Sequence, residues 1–257
     1  MPDSPLTFLL LCFSALAAGA INSIAGGGTL ATFPSLLTVL SAVPANATST
    51  VALLPGSIAS AWGYRKEVAA SRAILLRLFF PSLFGGIAGA FALTRFPETV
   101  FENLVPWLLL TATGLMLVQR PLARWIGAHP HEAPPPATVA AVVFFQLLVG
   151  IYGGYFGAGI GILMLSSLGF MGIAGIHQMN GVKSILACVM NGIGAAIFVY
   201  EDKVVWRYAL PMALASIVGG YVGARVARKM PASTVRSIVI AIGFVVAGYS
   251  FYRRFAR

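Results

Sequence analysis

The sequence predicts an all-α polytopic membrane protein made of two homologous repeats. Three observations predict it: long stretches without charge, a glycine-rich signature that occurs twice, and a register of matching residues between the halves. Of the 257 residues, 58% are hydrophobic and 9% are charged, whereas a soluble domain carries about a quarter charged residues. No Asp, Glu, Lys or Arg occurs in residues 4–64 or in residues 133–182. Stretches of that length hold several membrane spans of about 20 residues each.

Ten apolar segments can be drawn, five in each half. The first, 6–24, is long enough to span and ends in Gly19-Ala-Ile-Asn22-Ser-Ile-Ala-Gly26-Gly27-Gly28-Thr29. The second, 29–40, is too short to cross unaided, so it reads as a half-helix that dips in and turns back. The third, 46–63, opens on Asn46, Thr48, Ser49 and Thr50. These residues suit an N-cap, and equally a ligand contact at a helix N-terminus. Segments four (73–94) and five (100–118) complete the first half. The second half repeats the plan with 137–156, a short 160–171, then 177–200, 204–226 and 235–251. The count is eight full spans plus two short broken or re-entrant segments, or ten segments in all.

The second glycine signature runs from Gly150 through Tyr152, Gly153, Tyr155, Gly157 and Gly159 to Gly161. At an offset of 131 residues, Gly19, Gly26, Gly28, Ser35, Leu37 and Val51 match Gly150, Gly157, Gly159, Ser166, Leu168 and Val182. The offset then becomes 134, and Gly85, Gly86 and Gly89 match Gly219, Gly220 and Gly223. Agreement across several elements points to duplication, with repeats at 1–119 and 137–257 and a Pro/His-rich linker loop at 120–136. Pro134, Pro135 and Pro136 in that linker favour an extended chain. The small-residue faces at Gly85-Gly86-x-x-Gly89 and Gly219-Gly220-x-x-Gly223 suit close helix packing.

Charge placement bears on topology. The 17 Lys and Arg outnumber the 7 Asp and Glu, yet most of them sit in short loops between apolar segments, as topology-setting charges do. That distribution argues against nucleic acid as a partner and for a lipid bilayer. The loop after segment three carries Arg65, Lys66 and Arg72, and its counterpart carries Glu201, Asp202, Lys203 and Arg207. The loop after segment four holds Arg95, and its counterpart holds Arg225, Arg228, Lys229 and Arg236. Opposite bias in equivalent loops is the pattern of inverted repeats. The terminal Arg253, Arg254 and Arg257 run against it, since inversion puts them outside. Asp3, with no Lys or Arg ahead of the first apolar stretch, argues against a cleaved signal peptide. Cys12 and Cys188 lie in apolar stretches and imply no disulfide framework.

Lys183 is the one charged residue between positions 133 and 200. An ammonium within a membrane segment faces a cavity or a partner, or its long stem snorkels to an interface. No carboxylate accompanies it in sequence, so it reads as a fixed charge for an anionic substrate. His177 and Asn180 share its helical face at spacings of three, and Asn191 follows two turns on. In the first half, Asn22 and the Gly26-Gly27-Gly28 break supply side-chain and backbone donors, and Gly157 and Gly159 do so in the second. With Asn46, Ser49 and Thr50, these residues make up the candidate substrate site. His129-x-His131 has no third ligand, so no metal site is expected, and no cofactor is implied. Sodium and proton pathways recruit Asp or Glu at membrane depth, and the one carboxylate within a segment, Glu102, stands at its very start.

The Gly19–Pro34 stretch, Asn46-Ala-Thr-Ser-Thr50, and the Gly150–Gly161 copy followed by Gln178-Met-Asn180-Gly-Val-Lys183 resemble the TauE/SafE sulfite exporter family. The resemblance covers essentially the whole chain. It implies a multi-pass carrier of the inner (plasma) membrane for sulfite, organosulfonates or related small inorganic or organic anions, with a homodimer as one assembly open to it. Gly157-Ala-Gly159 in place of three consecutive glycines, and His177 where the first half has Asn46, depart from a strict repeat. The expected function is export by alternating access, without enzymatic chemistry. The alternatives are a structural or assembly membrane protein, which the polar residues at both breaks disfavour, and a membrane-embedded enzyme, which lacks a His/Asp/Glu cluster.

Overall fold

The computed structural model describes residues 4–24, 26–68, 71–127, 134–173, 175–226, 240–241, 243–245 and 247–252. These residues form helices and connections, with no strand among them. The helices are α1 (Pro5–Ile24), α2 (Thr29–Leu36), α3 (Ala42–Gly63), α4 (Arg65–Val68) and α5 (Arg72–Arg95), followed by α6 (Glu98–Gly127), α7 (Pro136–Tyr155), α8 (Ile160–Phe170), α9 (Ile176–Tyr200) and α10 (Trp206–Val226). Residues 240–252 are helical wherever they are described. Among the described residues, four helices combine the length and apolar composition needed to cross a membrane: Pro5–Ser23, Arg72–Arg95, Pro136–Tyr155 and His177–Tyr200. The short α2 and α8, of 8 and 11 residues, match the two segments read as too short to span.

Three boundaries differ from the sequence reading. α3 starts at Ala42 behind an N-cap position at Ser41, so Asn46, Thr48, Ser49 and Thr50 lie inside the helix and do not cap it. The start is marked instead by Pro44, which the first helical turn tolerates because its N–H groups have no intrahelical partner. α2 ends at Leu36 rather than position 40. α6 continues to Gly127, well past the apolar segment and into the expected linker. Pro134 and Pro135 precede α7 without helical structure, while His129 and His131 lie outside the described residues, as do Arg228, Lys229, Arg236 and residues 253–257.

Helix directions follow from pairs of contacts. Gly219 packs on Leu16 and Gly223 on Ala20, so α1 and α10 run parallel. Thr48 accepts a hydrogen bond from the Val205 N–H at 3.0 Å, while Gly56 abuts Ser216 and Gly220, which sets α3 parallel to both. Gly85 packs on Leu147 and Gly150, and Gly89 on Ile151 and Tyr155, so α5 and α7 also run together. α9 joins α5, since Gly86 abuts Met190 and Arg95 pairs with Glu201 at 3.2 Å. α3 and α9 are antiparallel. Tyr64 at the end of α3 stacks on His177 at the start of α9 (centroids 6.3 Å apart), and Gly194 lies near Thr50.

Glycines make these contacts because a Cβ would strike backbone. On Gly19 it would lie 2.5 Å from the Ser216 carbonyl, and on Gly85 it would lie 2.5 Å from the Leu147 carbonyl. Lipid tails are as apolar as leucine, so close van der Waals approach of this kind is what drives helices together. Buried hydroxyls add cross-links, with Ser23 donating to the Gly220 carbonyl at 2.8 Å and Ser216 to the Ala52 carbonyl at 2.6 Å. The outer surface is apolar, with Leu9, Phe13, Phe84, Phe144 and Leu214 all exposed.

The antiparallel pairing sorts charge between two faces. Arg65, Lys66 and Arg72 cluster where α3 ends and α9 begins. Glu98 and Glu102 lie at the other face with Arg95, Glu201 and Asp202, because the Glu98 carboxylate caps the start of α3 by accepting from the Val43 N–H at 3.0 Å.

Candidate functional site

Each glycine break is built from its own hydrogen bonds. After α1, Gly26 and Gly27 adopt φ of 74° and 114°, a region that side chains rarely enter. The Asn22 side chain reaches across this turn. Its Oδ1 accepts from the N–H of Gly27 at 3.1 Å and of Gly28 at 2.7 Å. After α7, Gly157 and Gly159 have φ of 80° and 78°. The Tyr152 carbonyl accepts from the N–H groups of Phe156 and Gly157 at 2.9 and 3.2 Å. The Tyr152 hydroxyl donates to the Ala158 carbonyl at 2.8 Å.

The two breaks touch. A Cβ on Gly26 would lie 2.6 Å from the Gly161 Cα, so the chain reversals meet through bare backbone. Beside this crossing is a cavity of about 30 Å³, room for one or two waters. Asn22, Gly26, Gly27 and Thr29 line it from the first break, and Gly157, Ile160, Gly161 and Met164 from the second. α3 contributes Ser57 and Ser60, and α9 contributes Lys183, Ser184, Ala187 and Asn191. The N-termini of α2 and α8 both border the space, which gives it partial positive charge from unsatisfied N–H groups.

Lys183 is 2% exposed. Its Nζ donates to the Asn22 backbone carbonyl at 3.2 Å, joining α9 to the break of the other half. An ammonium has three donors, and this carbonyl satisfies one. Among the described residues the one ion pair is Arg95–Glu201, so no described carboxylate neutralises Lys183. A buried ammonium, two helix starts and several hydroxyls surround one small space, an arrangement chemically suited to negative charge.

Of the residues read from the sequence as site candidates, Asn22, Gly26, Gly27, Gly157, Lys183 and Asn191 line this cavity. The others lie elsewhere. Gly28 packs against Ala18 and the Asn22 side chain, and Gly159 lies against Ala112. Asn46 is buried and donates from Nδ2 to the Tyr155 carbonyl at 3.1 Å. Ser49 shares a 2.6 Å hydrogen bond with Thr32, and the Thr50 hydroxyl donates to the Asn46 carbonyl at 3.0 Å. Asn180 is buried with Oδ1 unpartnered among the described residues, and His177 is exposed against Tyr64. Asn46 and Ser49 therefore anchor α3 to the neighbouring break and short helix.

Ser57, Ser60 and Ser184 do not stand out in the sequence. Ser60 and Ser184 oxygens lie 3.3 Å apart, tying α3 to α9 beside Lys183. The available signal is positional. Ser184 follows the lone lysine, and Ser57 and Ser60 share a helix face at a spacing of three.

Comparison with known proteins gives one consistent result. The chain is 28% identical over 249 residues to Probable membrane transporter protein ORF9 of a Sinorhizobium species, covering 94% of this chain and 92% of the relative. It is 26% identical over 253 residues to Probable membrane transporter protein YfcA of Escherichia coli K12, covering 97% and 91%. A probable membrane transporter protein of Haemophilus influenzae is 26% identical over 255 residues, covering 96% and 95%. No solved structure matches. The relatives and the apolar helices make this a multi-pass membrane protein of the transporter class. The family model described as Sulfite exporter TauE/SafE matches residues 11–250, and the chain belongs to that family.

Proposed function

We propose that this protein is a secondary transporter that exports a small sulfur-containing oxyanion, such as sulfite or an organosulfonate, across the bacterial inner membrane. The observation that carries the proposal is Lys183, a buried ammonium without a described carboxylate partner, facing a cavity made where two chain breaks meet. An anion of charge −1 leaving a compartment at negative potential gains about 2.3 kcal/mol per 100 mV. Export then needs no intramembrane carboxylate for coupling.

Two inverted repeats working by alternating access fit the packing. Leu16, Gly19 and Ala20 of α1 meet Gly219 and Gly223 of α10, and their counterparts Leu147, Gly150 and Ile151 of α7 meet Gly85 and Gly89 of α5. The equivalent helices α3 and α9 are antiparallel, as inversion requires. The small cavity lies where the breaks of the two halves meet, and parting of the halves around it is the motion alternating access supplies. The test is a thermal-shift screen of purified protein against sulfite, sulfate, thiosulfate, sulfoacetate and simple carboxylates. Stabilisation by a sulfur oxyanion, absent in Lys183→Met, is the expected outcome. No shift with any of these anions overturns the reading.

A further inference from the structure

We propose that the anion is seated on the second glycine break alone, by the N–H groups that open α8 together with Lys183, because the Asn22 side chain already fills the donors of the first break as a built-in oxyanion surrogate. The inference rests on the anion-carrier reading and specifies its site. At the first break, the N–H groups of Gly27 and Gly28 converge on Asn22 Oδ1 at 3.1 and 2.7 Å. Leu30 and Ala31 donate to the carbonyls of Gly27 and Gly28. Most of this helix start is therefore closed to a ligand by the chain itself.

The second break has no such plug. The position equivalent to Asn22, at the offset of 131, is Gly153, which has no side chain to fold back. Tyr152 does not take the part, since its hydroxyl engages the Ala158 carbonyl, an acceptor, and leaves the donors alone. Ile162 donates to the Gly159 carbonyl, while the N–H groups of Ile160 and Gly161 have no acceptor among the described residues. Both residues line the cavity that holds Lys183. Two oxygens on one atom, as in sulfite, a sulfonate or a carboxylate, let a single anion engage both the ammonium and the α8 N–H groups. Asn22 also fixes the ammonium through its backbone carbonyl, a contact that survives replacement of its side chain.

The experiment is sulfite titration of detergent-purified protein by calorimetry, with three variants. Asn22→Asp places a carboxylate on the two Gly N–H groups and beside Lys183, a stronger surrogate than the amide. It is expected to weaken sulfite binding roughly tenfold or more, the scale of a charge-assisted hydrogen bond, without lowering the melting temperature. Asn22→Ala frees the two N–H groups of the first break beside the cavity and is expected to bind sulfite more tightly than wild type, because a second set of donors opens to the anion. Lys183→Met is expected to lose binding. If Asn22→Ala loses binding as Lys183→Met does, or Asn22→Asp binds as wild type does, the single-seat assignment is wrong while the carrier reading stands. If wild type binds no anion, the carrier reading falls and takes the assignment with it.

Discussion

Gly26 and Gly161 lie so close that neither break could hold its course if Gly26 carried a side chain. A Cβ there would stand 2.6 Å from the Gly161 Cα, on a backbone with φ of 74°. The contact joins the first half of the chain to the second at the edge of the cavity. Gly26→Ala should therefore cost about 1–2 kcal/mol for the left-handed backbone and about 1–3 kcal/mol for the forced contact. Thermal unfolding in detergent measures it, and an unchanged melting temperature would mean the breaks do not meet this way.

Glycines in the helix interfaces should behave differently from glycines facing open space. Gly219→Val drives a branched side chain into the backbone of Leu16, and Gly85→Val into the backbone at Leu147 and Gly150. Both variants should lower the yield of folded protein and its melting temperature. A Cβ on Gly114 would meet nothing within 4 Å among the described residues, so Gly114→Ala should be neutral or stabilising by roughly 0.5–1 kcal/mol. Equal losses in all three would show that interface contact does not set the tolerance of these positions.

Antiparallel α3 and α9 put positions 66 and 202 on opposite faces. Single cysteines at these positions, in a background lacking Cys12 and Cys188, should label from opposite sides of oriented vesicles with a membrane-impermeant maleimide. Labelling from one side would refute the inverted arrangement.

The Ser60 and Ser184 oxygens are 3.3 Å apart. A Ser60→Cys/Ser184→Cys pair should form a disulfide under mild oxidant and block flux in proteoliposomes, with recovery on reduction. Full transport by the cross-linked protein would place the moving parts away from α3 and α9.

Lys183→Met removes the buried ammonium while keeping the length of the apolar stem. Sulfite-dependent flux in proteoliposomes should fall to background, with the melting temperature unchanged or raised, since a buried charge is costly to hold. Undiminished flux would remove Lys183 from the transport path.

Much of the fold is legible from local chemistry. The charge-free stretches announce the helices that cross, and the glycine signatures bracket α2 and α8. Lys183 is conspicuous because an isolated charge in an apolar stretch has few explanations. Asn46, Ser49 and Thr50 mislead, because residues that cap well suggest a boundary, while Ser41 and Pro44 mark the true start of α3. Ser57, Ser60 and Ser184 are silent, since a serine within a helix looks the same whether it faces lipid, a neighbour or a cavity.

The sequence by itself determined the class of protein, the two breaks and the isolated charge at Lys183. Those follow from properties a residue carries with it, namely hydropathy, the missing Cβ of glycine, and the cost of an ammonium away from water. Only the tertiary structure decided that Lys183 reaches the opposite half's break, that Asn22 closes its own glycine donors, and that Asn46 and Ser49 stay out of the cavity. Those outcomes depend on which helix faces which, set by glycine contacts between segments far apart in the chain, and no local pattern encodes them.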